Sequence, residues 1–242
     1  MPSTETIVGA NVARVQAEIA AACTRVGRRA DEVTLIGVTK SVDRSVADVL
    51  IGAGVHDIAE NRVQDAVAKF GRKSDFPPLA PEVRLHMIGN LQTNKVRDVL
   101  DLFTSVQSLN REGLADALER EASRRGRTID VLLEVNVAED VSKQGAFLDM
   151  AIYLMGYVIT KCPAIRIQGL MTIAPQVDEM FDARPAFRGL RELRDSLREK
   201  FPSLPLPVLS MGMSNDFPIA IEEGATHVRI GRALFTGLPS PD

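Results

Sequence analysis

Apolar residues recur at helical spacing from Ile7 to Val26 in "IVGANVARVQAEIAAACTRV", and Gly27 then stops the pattern, which predicts an opening helix. Beyond it the chain alternates between short β-rich apolar runs and longer amphipathic ones. The runs "VTLIGVT", "VHDIAE", "VRLHMIG", "FTSVQSL", "IDVLLEVNV", "IRIQGLMTI", "PVLSMG" and "HVRIG" predict strands. Helical spacing marks "RSVADVLIGAG", "RVQDAVAKF", "NKVRDVLDLF", "REGLADALEREASRRG", "LDMAIYLMGYVITK", "ARPAFRGLRELRDSLREKF" and "DFPIAIEEGA", with "RALFTG" after the last strand. Strand followed by helix throughout predicts parallel pairing through crossover helices.

A doubly wound open sheet would usually carry G-x-G-x-x-G after its first strand, and "GVTKSVD" carries none. Near-continuous apolar strands such as "TLIGV" fit burial on both faces, as in a closed (β/α)8 TIM barrel with an extra N-terminal helix. No linker separates two composition regimes. The expected organisation is one domain over residues 1–242, with a leading helix in 1–30 and the barrel in 31–237.

Composition narrows the function. The 242 residues are 45% hydrophobic and 25% charged, with a net charge of -3, which supplies no basic field for nucleic acid. No apolar stretch has the length of a signal peptide or a membrane span, so a cytoplasmic protein is expected. Cys23 and Cys162 lack C-x-x-C spacing and read as reduced structural thiols. His56, His86 and His227 are scattered singly, so no metal site is expected, and His86 reads as a satisfied barrel-interior histidine.

Barrel chemistry belongs at the strand C-termini. Those ends carry Lys40, Glu60 and Asn61, Gly89 and Asn90, Asn110, Asn136, Met171 and Thr172, Ser210 to Ser214 and Arg229 to Arg232. A lysine there is a phosphate partner, a Schiff-base amine, or a surface lysine. "LSMGMSND" and "VRIGR" follow strands seven and eight and open helices, the habitual phosphate site of this fold. A Schiff-base lysine and a phosphate cup across one mouth together describe a holder for pyridoxal 5'-phosphate (PLP).

The segments "GVTKSV", "AENRVQDA", "HMIGNLQTNK", "VNVAEDVSKQG", "IQGLMTIAP", "LSMGMSND" and "VRIGRALF" resemble, in order and spacing, the YggS/PROSC family of PLP homeostasis proteins. That family's fold is similar to the N-terminal barrel of alanine racemase. The resemblance implies that Lys40 bears PLP as an aldimine, that Asn61 lies near the cofactor, and that Ser210, Met211 and Ser214 form the loop meeting the phosphate. It also implies that Arg229, Ile230 and Gly231 form the strand-eight segment, with the arginine toward the pyridine nitrogen and the glycine amide toward the phosphate. Arg62 and Arg232 depart from the family pattern, standing where an aromatic and a small hydroxyl residue are common. Lys95 and Lys143 lie in family-like motifs, but on residue type alone they read as exposed cations.

The expected function is a monomeric, non-catalytic carrier and buffer of PLP that hands it to PLP-dependent apo-enzymes, with no catalytic residue. The alternative is a PLP-dependent amino-acid racemase. Such enzymes carry a further, mostly β domain and a tyrosine acid/base, whereas this sequence stops shortly after the barrel. Tyr153 and Tyr157, its two tyrosines, fall on a helix of the outer ring.

Overall fold

The computed structural model describes residues 2–71, 77–137, 145–174 and 183–239. Lys143 and positions 72–76 lie outside them. Among the described residues, the strands are β1 (Thr34–Val38), β2 (Asp57–Glu60), β3 (Arg84–Met87), β4 (Ser105–Leu109), β5 (Ile129–Glu134), β6 (Ile165–Met171), β7 (Val208–Ser210) and β8 (His227–Ile230). All neighbours are parallel, and β1 closes the barrel on β8 with Ile36 opposite Arg229. The helices are α1 (Thr4–Arg25), α2 (Arg44–Gly52), α3 (Val63–Phe70), α4 (Val96–Leu102), α5 (Glu112–Arg124), α6 (Leu148–Lys161), α7 (Arg184–Lys200), α8 (Phe217–Glu222) and α9 (Arg232–Phe235). The short apolar runs appear as strands and the segments of helical spacing as helices.

The opening helix begins earlier than its apolar stripe, because the Ser3 hydroxyl accepts from the Thr6 N–H and caps it at Thr4. Val8, Val12, Val15, Ile19, Ala22 and Cys23 make its buried face, laid against α2, α8 and α9. Asn11 donates to the carbonyls of Leu234 and Thr236, at 3.1 and 2.9 Å, so α1 also fixes the segment after β8.

Strand alternation sorts side chains between two cores. Leu85, Leu133, Leu209 and Val228 join the large outer core against the helices. Ile36, Val38 and Ala59 form a separate cluster inside the barrel. Gly37 faces α2, where a Cβ would stand 2.5 Å from a Leu50 methyl, so any side chain there would force Leu50 to move.

At the N-terminal end of the lumen, His86 lies between Asp57 and Ser105, at 2.8 and 2.7 Å, as the satisfied interior histidine the sequence predicts. A recess of about 440 Å³ opens at this end beside Thr34, His56, Asp57 and Arg84. It lies away from the strand C-termini, on the barrel face associated with stability rather than chemistry.

These groups give the barrel a pH signature. Burial disfavours the charged Asp57, but hydrogen bonds from His86 and Arg84 outweigh it and hold its carboxyl at about 2. Desolvation, with His86 nearby, lowers His227 to about 4. A histidine depressed on folding resists protonation in the folded state, so stability is lost as pH falls from its usual value near 6.5 to about 4. The Asp57 contribution is present above its usual value of 3.8 and disappears only as pH falls toward about 2. The melting temperature is therefore expected to fall mainly between pH 6.5 and 4, by the equivalent of up to roughly 3 kcal/mol. A His227→Asn variant should flatten that limb; an unchanged profile would assign the acid sensitivity elsewhere.

Candidate functional site

Lys40 follows β1 at the barrel mouth and is exposed. It stands two residues beyond Val38, which is two beyond Ile36, so alternation puts it next in the row of lumen-lining positions. Asn61, directly after β2, is half-buried. A Cβ at Gly89 would overlap the Asn61 backbone, so that glycine lets the ends of β2 and β3 close together. A recess of about 400 Å³ beside Asn61 is lined also by Arg62, Gln64, Asn90, Gln92 and Lys95.

Across the mouth, the loops after β7 and β8 meet. The Ser214 hydroxyl accepts from the Ala233 N–H at 3.3 Å, and Arg232 donates to Asn215 at 3.0 Å. The unusual Arg232 thus ties the two loops together. Gly212 has φ +91, and a Cβ there would stand 2.6 Å from the Ala220 Cβ, which fixes glycine at this sharp turn. Gly231 precedes α9, and a Cβ on it would come 3.3 Å from the Val38 carbonyl oxygen. The β8 loop therefore lies against the end of β1, two residues before Lys40.

Ser210 and Arg229 face the lumen below this mouth. Arg229 donates to the Ser210 hydroxyl at 2.8 Å and to the Thr172 carbonyl at 2.9 Å, and Ser210 donates to Gln107 at 2.7 Å. Complete burial lowers Arg229 to about 10, with Asp216 and Glu134 opposing the shift, so it remains a cation at neutral pH. Desolvation raises both carboxyls, Glu134 against the opposing hydrogen bond from Asn110, and Asp216 against the Met213 N–H. Met211 and Ile230 belong to the outer core, so only their backbones can reach the mouth.

Lys40, Ser214, Gly231, Ser210 and Arg229 are thus carried by the adjoining strands β1, β7 and β8 and the loops after them, with Asn61 just after β2. The lumen groups Gln107 and Glu134 escaped the sequence reading. Each was one of several polar residues inside the predicted strands "FTSVQSL" and "IDVLLEVNV". The two tyrosines lie on α6, where Tyr157 donates to Asp116 of α5 at 2.7 Å, on the outside of the barrel. Cys23 and Cys162 are buried free thiols. Among the described residues no helix is long and apolar enough to cross a membrane.

The family described as alanine racemase, N-terminal domain, matches residues 13–239. A protein of Aquifex aeolicus named pyridoxal phosphate homeostasis protein is 40% identical over 224 residues, covering 93% of this chain and 95% of that one. Among solved structures, PipY of Synechococcus elongatus with PLP bound is similar at TM-score 0.77 and 32% identity, over 90% of this chain and 99% of that one. Alanine racemase from Corynebacterium glutamicum, at 15% identity and TM-score 0.67, shares the fold over 97% of this chain and 63% of its own.

Proposed function

Because the chain belongs to the YggS/PROSC family of pyridoxal phosphate homeostasis proteins, we propose that its barrel mouth holds PLP through Lys40 and passes it to apo-enzymes. The observation that carries this reading is the approach of the β8 loop to the end of β1, with Gly231 against Val38, while Ser214 ties the β7 loop to the β8 loop. In this reading the two loops form the anion cup beside the Lys40 amine.

The donor set fits the cofactor. Lys40 offers a primary amine for its aldehyde, Ser214 and the Gly231 amide offer donors for its phosphate, and Asn61 flanks the ring. Met211 and Ile230 contribute backbone alone. Bound PLP supplies an aldehyde carbon and, where its ring nitrogen is protonated, an electron sink. Arg229 bears on the second property: a cation held at the lumen floor disfavours a second positive charge on a ring nitrogen above it. Ser210 serves by holding Arg229 in place. The binding unit in this proposal is one domain, acting as a monomer in the cytoplasm.

Racemisation needs proton-transfer groups on both faces of the bound substrate. Lys40 can serve one face. The tyrosine that alanine-racemase-like enzymes use for the other has no counterpart at this mouth, since both tyrosines lie on α6. Holo-protein incubated with L-amino acids in deuterated water is therefore expected to show no α-proton exchange or loss of chirality above that of free PLP. Multiple turnovers that vanish in Lys40→Ala would overturn the carrier reading and establish a racemase.

A further inference from the structure

We infer that Glu60 and Lys69 are positioning residues for Lys40, acting through the turn on which it stands. The inference rests on the reading of Lys40 as the cofactor's attachment point. Lys40 is the second residue of a turn closed by the Val42 N–H, which donates to the Thr39 carbonyl at 3.1 Å. That carbonyl shares a planar peptide unit with the Lys40 nitrogen. Whatever orients it also sets the direction in which the Lys40 side chain leaves the turn.

The second lone pair of the same carbonyl accepts from Lys69 Nζ at 2.8 Å. Lys69, on the last turn of α3, also donates to Glu60 Oε1 at 2.7 Å, and the Thr39 hydroxyl donates to that same oxygen at 2.7 Å. Thr39 is thereby gripped at its carbonyl and at its side chain by one ion pair. The pair lies behind the strand, with Glu60 fully buried and the Lys69 side chain 12% exposed. Arg44 steadies the lysine from α2, donating to its backbone carbonyl at 3.4 Å, and both cations lie over the Phe70 ring.

Stability alone does not account for this arrangement. A buried ion pair is weak grounds for a stabilising role, since apolar groups of the same volume often do as well. Glu60 Oε2 has no hydrogen-bond partner among the described residues, so the carboxylate is buried with one oxygen unsatisfied. α3 already packs through Val63, Ala66 and Phe70. What the charges add is a directed grip on the peptide that carries Lys40. Such a grip matters where an aldehyde must meet an amine while a phosphate is docked across the mouth, because misplacement by about 1 Å can slow a positioned reaction about a hundredfold.

The test uses the full chain with Glu60→Gln and Lys69→Met combined, which replaces the pair by neutral groups of similar volume. In the apo-protein the Val42 amide is expected to exchange its hydrogen at least tenfold faster than in the wild type, while the melting temperature stays within a few degrees. In PLP titrations the apparent Kd is expected to rise at least tenfold. Unchanged Val42 protection, or a Kd within twofold of the wild type, would overturn the inference. If the double variant does not fold, Lys69→Gln decides by the same two readouts. A wild type that forms no adduct at Lys40 would instead sink the proposed function, and the Val42 measurement would still report on the clamp.

Discussion

Lys40→Ala protein is expected to be colourless and to gain no cofactor mass after borohydride treatment, whereas the wild type absorbs near about 420 nm and gains one cofactor mass at Lys40. The expectation comes from how this lysine differs from others in the chain. Lys40 is exposed at the strand C-termini, and its amine has no ion pair among the described residues. Lys69 is committed to Glu60 and the Thr39 carbonyl. Lys161 and Lys200 close outer-ring helices, and Lys95 belongs to the neighbouring recess. Peptide mapping of the reduced adduct decides the matter, and label on any other lysine would remove the central assignment.

The second large effect belongs to the β8 loop. Gly231→Glu is expected to weaken PLP retention a hundredfold or more with the fold intact. Gly231 has φ -115, which any residue adopts, and an added Cβ would stand 3.3 Å from the Val38 carbonyl oxygen, a clearance that a small shift restores. A side chain there meets no forbidden φ, and the Val38 contact must open by a few tenths of an ångström to admit it. What the glutamate adds is volume where the anion would sit and a negative charge beside it. Two like charges about 4 Å apart repel by roughly 4 kcal/mol at the effective dielectric of a protein surface, enough for such a loss. Gly231→Ala separates the two factors and should retain PLP far better. Ser214→Ala, which removes one neutral donor, should weaken retention about tenfold. Equilibrium dialysis measures all three, and wild-type affinity in both the glutamate and the Ser214 variants would mean that the phosphate binds elsewhere.

By itself the sequence determined the order and type of the elements, because local period is written in local residues. Runs such as "TLIGV" and stripes such as that of α1 need no partner to be recognised. It also determined the residue types at the strand ends, since barrel topology puts every C-terminal end at one mouth. Lys40, Asn61, Ser214 and Gly231 were legible for that reason.

The tertiary structure decided which atoms those residues present and to what. Met211 and Ile230 sit in the same motifs as Ser210 and Arg229, yet the pleat turns their side chains toward the helices. Ser210 is engaged by Arg229 and Gln107, which lie 19 and 103 positions away along the chain. Lys69 carried no signal in the sequence, and its grip on the Thr39 carbonyl spans 30 positions. Periodicity reports which way a residue faces within its own element. Hydrogen bonds between distant elements depend on how those elements are brought together, which the closed barrel and the helices packed around it set.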